Sequence, residues 1–272
     1  MINLARIQSL IVDMDGVLWQ GEQALPGLAE FFNTLDRLKL NYLLATNNAS
    51  LTPAQYTAKL SRMAITLSPE RILTSAMVTA QYLAETASPA SSRLFVIGES
   101  GLITALRDQG FQQLQDFTPE QPATHVVCGL DRQLTWQKLT TAGLHLQAGA
   151  QLLGTNADTN LPTELGNAVG NGAILAALTA VTGLQPTVLG KPETYFYQNA
   201  LQRLNTTPEH TLAIGDRLDT DILGAVRTGL PCIMLLSGIS KVQDLGAVNY
   251  APDLVLPGLP ALTEALRLAH QP

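Results

Sequence analysis

The stretch Leu10-Ile11-Val12-Asp13-Met14-Asp15-Gly16-Val17 sets an apolar run against two carboxylates two positions apart and a glycine. The run reads as a buried strand, and Gly16 lets the backbone leave a sheet sharply where the acids end it. Working outward, short apolar runs closed by small or polar residues recur. Tyr42–Ala45 leads into Thr46-Asn47-Asn48, Leu212–Ile214 into Gly215-Asp216, and Ile233–Leu236 into Ser237-Gly238. Stretches at helical spacing lie between them, such as Leu28–Leu38. LTPAQYTAKLSRM (51–63) opens on Thr52-Pro53, an N-cap followed by proline at the first helical position. Strand, helix and strand in this rhythm predict right-handed crossovers and a parallel sheet, a Rossmann-like doubly wound α/β core.

The middle of the chain repeats the rhythm. LFVIG (94–98), HVVCGL (125–130) and QLLGT (151–155) read as strands, with helices near 100–109, 135–148 and 172–182. Residues 83–184 are therefore expected to form a second α/β domain inserted into a core made of 1–82 and 185–272. The turn-rich segments ETASPASS (85–92) and TGLQPT (182–187) serve as linkers.

The 272 residues, 46% hydrophobic and 14% charged, suit a compact fold rather than a disordered chain. A net charge of −6 with no basic cluster argues against a nucleic-acid partner. Cys128 and Cys232 lie in apolar runs and read as buried free thiols. The apolar stretches near the start are too short for a signal peptide, and no run approaches the roughly 18 residues that span a bilayer. A cytoplasmic protein without membrane contact is the expectation.

In an open parallel sheet, ligands bind beyond the carboxyl ends of the strands, and four polar clusters fall there. In the first, one carboxylate of Asp13/Asp15 can attack a phosphorus while the other hands a proton to the leaving oxygen. An Asx-turn after a strand is the plainer reading of the same residues. A calcium loop is ruled out by Val17 at its fifth position and the lack of Glu at its twelfth. The second cluster, Thr46-Asn47-Asn48, offers a hydroxyl and amides for phosphoryl oxygens, though it is also ordinary turn chemistry. In the third, Gly190-Lys191-Pro192, the lysine precedes a helix capped by Pro192 and can neutralise a carboxylate and a phosphate together. It is not a phosphate-loop lysine, because Gln185 stands where that pattern needs glycine. In the fourth, Gly215-Asp216-Arg217-Leu218-Asp219-Thr220-Asp221, three acids within six residues favour a hard cation; acids at a helix N-terminus are the alternative.

Taken in order as DMDGV, TN, GKP and GDRLDTDI, the four resemble the motifs of the haloacid dehalogenase superfamily, most closely its nitrophenylphosphatase-like subfamily of nucleotide, sugar-phosphate, phosphoglycolate and pyridoxal-phosphate phosphatases. That subfamily carries an inserted α/β cap between the second and third motifs. GTNAD (154–158) and GNG (170–172) look like its cap, and LLSGIS (235–240) and PDLVLPGL (252–259) continue the likeness. The resemblance implies a phosphoric monoester hydrolase acting on small phosphorylated metabolites. In it, Asp13 is the nucleophile and Asp15 the acid/base. Thr46, Asn47 and Lys191 hold the phosphoryl group, with Asn48 and Gly190 in support. It further implies Mg²⁺ held by the Asp13 carboxylate, the Asp15 carbonyl and Asp216, with Asp221 acting through water or by orienting Lys191.

Specificity is expected in the loop Asn156–Thr163. Related pyridoxal phosphatases carry an aromatic residue and a histidine where this chain has Asn160 and Leu161, which disfavours that substrate. The cap is also a candidate dimer surface. Trp19 is open to two readings, lining the entrance or packing in the core. The motifs alone also admit a phosphotransferase or phosphomutase with the same aspartyl-phosphate, or an idle metabolite-binding module.

Overall fold

The computed structural model describes residues 2–163 and 165–271. The chain divides into two compact units. One comprises the chain up to Thr46, Ala54–Leu73 and the chain from Lys191 onward; the other comprises Asn47–Pro53 and Thr74–Gly190. The helix Ser75–Thr86 goes with the second unit, ahead of the boundary near 83 that the turn-rich linker suggests. Its cap explains its start: Thr74 Oγ1 accepts a hydrogen bond from the Met77 N–H.

The first unit is built on a six-stranded sheet in the order Leu254–Leu256, Cys232–Leu235, Thr211–Gly215, Ser9–Asp13, Asn41–Thr46, Ile72–Thr74. Ser9–Asp13 sits near the middle and pairs in parallel with Thr211–Gly215 and Asn41–Thr46. All five of its residues are buried, as a strand covered on both faces requires. The register sets Val12 opposite Ile214 and Asp13 opposite Ala45. Asp13, Thr46 and Gly215-Asp216 therefore leave the sheet along one edge. Helix Leu28–Leu38 buries Leu28, Phe31, Phe32 and Leu35, one face of the helical period.

The second unit is a five-stranded sheet in the order Thr187–Val188, Gln151–Gly154, His125–Cys128, Arg93–Ile97, Gln112–Leu114, every pairing parallel. Helices Ser100–Asp108, Trp136–Gln147 and Asn171–Thr182 alternate with its strands. Phe95, Val126, Leu152, Leu146, Leu175 and Leu178 lie in its core cluster. Both units are thus α/β, the second inserted into a Rossmann-like first. Several short strands escape the sequence reading because their apolar runs are brief, among them Ile72–Thr74, Gln112–Leu114, Thr187–Val188 and Leu254–Leu256. The expected loop 156–163 is partly ordered as well, since Asn160–Thr163 pairs with Gly166–Val169 in an antiparallel hairpin. Both cysteines are free and buried, and burial pushes their thiols up to about 12 for Cys128 and about 11 for Cys232. No described helix is long and apolar enough to cross a membrane.

His145 sits in the second unit's core between the rings of Phe95 and Phe117, each 5.1 Å away. Its Nδ1 accepts the Ala123 N–H at 2.9 Å. Burial holds the imidazole below its usual value, opposed by the Asp116 backbone. Its folded pKa lies under the unfolded value of about 6.5, so the neutral ring's contribution is whole above that pH and is lost as pH falls through the folded value. In urea titrations followed by circular dichroism, lowering the pH from 7 to 5 should lower the midpoint less in His145→Asn than in the wild type. Equal losses would show that this ring does not drive the effect.

Candidate active site

The first motif is a tight turn. The Met14 carbonyl accepts the N–H groups of Val17 at 3.2 Å and Leu18 at 2.8 Å, and the Gly16 N–H donates to the Trp19 carbonyl at 2.8 Å. Gly16 has φ +85°, and a Cβ there would lie 2.6 Å from Asp216 Oδ2. The glycine is needed both for the left-handed conformation and for the close approach of the fourth motif. The turn carries Trp19 back so that its indole Nε1 donates to Asp15 Oδ1 at 2.7 Å. Trp19 is fully buried, its ring stacked on Tyr56 and capped by the Lys59 ammonium, 4.8 Å from the ring centre. Of the two readings of Trp19, the core one holds, with a polar duty that sequence spacing does not reveal.

Lys191 lies at the centre of the site. Its Nζ donates to Asp13 Oδ1 at 2.5 Å, to Asp221 Oδ1 at 2.6 Å and to the Ala45 carbonyl at 3.2 Å. The lysine is 3% exposed. Pro192 does not cap the following helix, as its position suggests; the helix is Thr194–Leu204 with Glu193 at the N-cap position. Asp221 is fixed from its other side, where Oδ2 accepts the Arg217 N–H at 3.2 Å. The Tyr197 hydroxyl donates to the Asp221 carbonyl at 2.9 Å. Asp219, the middle acid of the fourth motif, is exposed and turned to the Arg217 guanidinium at 2.7 Å.

Asp216 is held by residues that carry no catalytic signature. Its Oδ2 accepts the Ile239 N–H at 2.7 Å, and its carbonyl accepts the Ser240 N–H at 3.1 Å. Ser237 Oγ donates to the Gly16 carbonyl at 2.7 Å. The segment LLSGIS thus ties the first motif to the fourth. Gly238 is required there, since a Cβ on it would fall 1.9 Å from Asp216 Oδ2.

The electrostatics follow from burying three carboxylates around one ammonium. Burial alone would push the Lys191 ammonium down, but the Asp13 and Asp221 carboxylates outweigh it and hold it above its usual value. Burial pushes the Asp13 carboxyl well above the usual range; Lys191 opposes this, while Asp221 and Asp216 add to it. Burial, then repulsion from Asp221, pushes Asp216 up to about 7. One oxygen from each of Asp13, Asp216 and Asp221 lies within 4.8 Å of the others. That excess of negative oxygen ligands fits a hard divalent cation.

The remaining sequence candidates divide between the units. Thr46 is buried at the end of its strand in the first unit. Asn47, Asn48, Gly190, Asn160 and Leu161 belong to the second. Asn47 Nδ2 donates to Asp158 Oδ2 at 3.2 Å, and Asn48 Oδ1 accepts from the Ser50 N–H and hydroxyl at 2.9 and 2.7 Å. Asn160 and Leu161 lie on the hairpin, with Leu161 exposed.

Residues 10–112 match the family described as haloacid dehalogenase-like hydrolase, and residues 188–262 match one described as HAD-hydrolase-like. An acid sugar phosphatase of Staphylococcus epidermidis is 35% identical over 245 residues, covering 90% of this chain and 92% of its own length. Among solved structures, 4-nitrophenylphosphatase from Thermotoga maritima is 29% identical with a TM-score of 0.89, over 98% of this chain and all of that one. Glycerol phosphate phosphatase from Mycobacterium tuberculosis, in complex with calcium, is 32% identical with a TM-score of 0.87, over 96% of this chain and 76% of that one. Together with the Asp13–Lys191–Asp216 geometry, these likenesses establish that the chain belongs to the haloacid dehalogenase-like hydrolases, in their nitrophenylphosphatase-like group of phosphoric monoester phosphatases.

Proposed function

We propose that this phosphatase is a cytoplasmic, Mg²⁺-dependent enzyme that hydrolyses small phosphomonoesters, of sugar-phosphate, nucleotide or p-nitrophenyl phosphate type, through an aspartyl-phosphate on Asp13. The observation that carries the reading is the buried lysine bridging Asp13 and Asp221 beside Asp216. A carboxylate meets an anionic phosphate only where cations cancel the repulsion, and Lys191 is one such cation. The relatives named for acid sugar phosphate, glycerol phosphate and 4-nitrophenyl phosphate chemistry support the substrate size.

In this mechanism an Asp13 carboxylate oxygen attacks phosphorus in line with the leaving oxygen. Asp15 gives its proton to that oxygen as the ester bond breaks. Asp15 then takes a proton from water, whose oxygen attacks the aspartyl-phosphate and releases phosphate and free Asp13. Thr46, Asn47 and Lys191 hold the phosphoryl oxygens. Asp13, Asp216 and the Asp15 carbonyl would hold Mg²⁺, which supplies further cancellation of the phosphoryl charge when bound. Asn160 and Leu161 are the residues assigned to the leaving group.

Three outcomes are expected. Asp13→Asn should lower the turnover of p-nitrophenyl phosphate by at least about 10⁴-fold while the circular dichroism spectrum stays native. Undiminished turnover would remove Asp13 as nucleophile. Chelation by EDTA should abolish phosphate release, and excess MgCl₂ should restore it. Trp19→Phe keeps an aromatic ring, though a smaller one, but deletes the donor to Asp15, and should lower kcat about tenfold on an alkyl phosphate such as glycerol phosphate. The loss should be smaller on p-nitrophenyl phosphate, whose leaving group needs little proton donation. Equal losses on both would count against Trp19 acting through the acid.

A further inference from the structure

We propose that Asn156 and Asp158 are positioning residues that clamp Asn47 for phosphoryl binding. The inference rests on the phosphoryl-binding role given to Asn47 above. Asn47 is gripped at its backbone and at its side chain. Its carbonyl accepts from Ser75 Oγ at 2.5 Å and from Asn156 Nδ2 at 2.7 Å, while its own Nδ2 donates to Asp158 Oδ2 at 3.2 Å. The two gripping residues are locked to each other, since the Asp158 N–H donates to Asn156 Oδ1 at 3.1 Å.

The clamp is anchored from below by the start of helix Asn171–Thr182. Asn171 Nδ2 donates to the Asn156 carbonyl at 2.7 Å and to the Cys128 carbonyl at 3.2 Å. The Gly172 N–H donates to the Asp158 carbonyl at 2.8 Å, and the Gly170 N–H to the Thr159 carbonyl at 3.0 Å. The two sequence patterns GTNAD and GNG are therefore halves of one device. Backbone approach is as close as glycine permits: a Cβ on Gly172 would lie 2.3 Å from the Ala157 carbonyl oxygen. One on Gly190 would lie 2.4 Å from the Thr155 carbonyl oxygen and 2.7 Å from Asn47 Oδ1.

Asn156 is 5% exposed and Asn171 2% exposed. Buried amides are costly unless bonded, and simple loop closure asks for none of them to reach Asn47. A carboxylate on an amide N–H is a strong and directional hydrogen bond, which suits it to hold the amide in one orientation. With Asn47 assigned to the phosphoryl group and not to the leaving group, loosening it should affect every substrate alike. That separates a clamp from a leaving-group contact at the same loop.

The test assays Asp158→Ala, Asp158→Asn and Asn156→Ala, with Asn47→Ala alone and combined with Asp158→Ala. Asn47→Ala and Asp158→Ala should each lower kcat/KM about tenfold, by one factor for p-nitrophenyl phosphate and glycerol phosphate. Orthovanadate inhibition should weaken in parallel. Asp158→Asn, which keeps an acceptor oxygen, should recover most of the loss, and Asn156→Ala should reproduce it. Asp158→Ala should add nothing to Asn47→Ala. Full additivity in the double variant, or losses that differ between the two substrates, would overturn the clamp. If Asn47→Ala itself turns over normally, the phosphoryl role of Asn47 falls and the clamp with it. In the other failures Asn47→Ala is itself impaired, so the two results are distinguishable.

Discussion

A single buried ammonium facing three carboxylates organises this protein. Lys191 is bonded to Asp13 and Asp221, with Asp216 close by, and nearly all of this chemistry is shielded from water. Removing either partner of such a pair strands a charge at a cost of about 3–5 kcal/mol. The arrangement is not a stability device, since apolar residues of similar volume would serve as well or better. It is retained because charge left incompletely cancelled is what a phosphatase needs. Burial, with the neighbouring acids adding to it, raises the Asp13 and Asp216 carboxyls, while Asp13 and Asp221 hold the Lys191 ammonium up against its own burial.

The sheet sets out the first and fourth motifs, and turns beyond its strands bring Lys191 and Asp221 to them. Parallel pairing aligns the carboxyl ends of Ser9–Asp13 and Thr211–Gly215, so the first and fourth motifs emerge side by side. The helix after the fourth motif begins with a π-helical turn, Leu218–Ile222, which is where Asp221 sits as it returns to Lys191. Two glycines remove the remaining obstruction. Gly16 and Gly238 both pack on the Asp216 carboxylate, and a methyl group at either would displace it.

What could be read from the residues divides along physical lines. Strands buried on both faces advertise themselves as continuous apolar runs, and charged residues at their ends are conspicuous because charge is expensive there. Asp13 and Asp216 stand out for that reason, whereas Lys191 and Asp221 take their weight from the order of the four motifs. The parts that escaped are neutral or made of backbone. The Ile239 N–H on Asp216 has no side-chain signal. Trp19 looks like any core aromatic until the turn at Met14 brings its indole to Asp15. Asn156 and Asp158 fall in the loop expected to set specificity, and nothing local shows that they bond Asn47, more than a hundred positions earlier. Short strands such as Thr187–Val188 give no signal, since two residues carry no period.

The two acids of the first motif show how environment assigns roles that composition leaves equal. Asp13 and Asp15 are chemically identical and two residues apart. Asp13 ends a fully buried strand and is locked to an ammonium, which fixes one of its oxygens in place. Asp15 lies past the last strand residue, exposed, with one oxygen held by a neutral indole donor. A group that must both release and accept a proton needs access to water and a partner that does not bind it as an ion. An indole N–H donates a hydrogen bond without bringing a charge, which a lysine ammonium cannot do. The difference between the two carboxylates therefore lies in their surroundings and hydrogen-bond donors, and in the proposed mechanism the turn that carries Trp19 back serves the acid/base step together with Asp15.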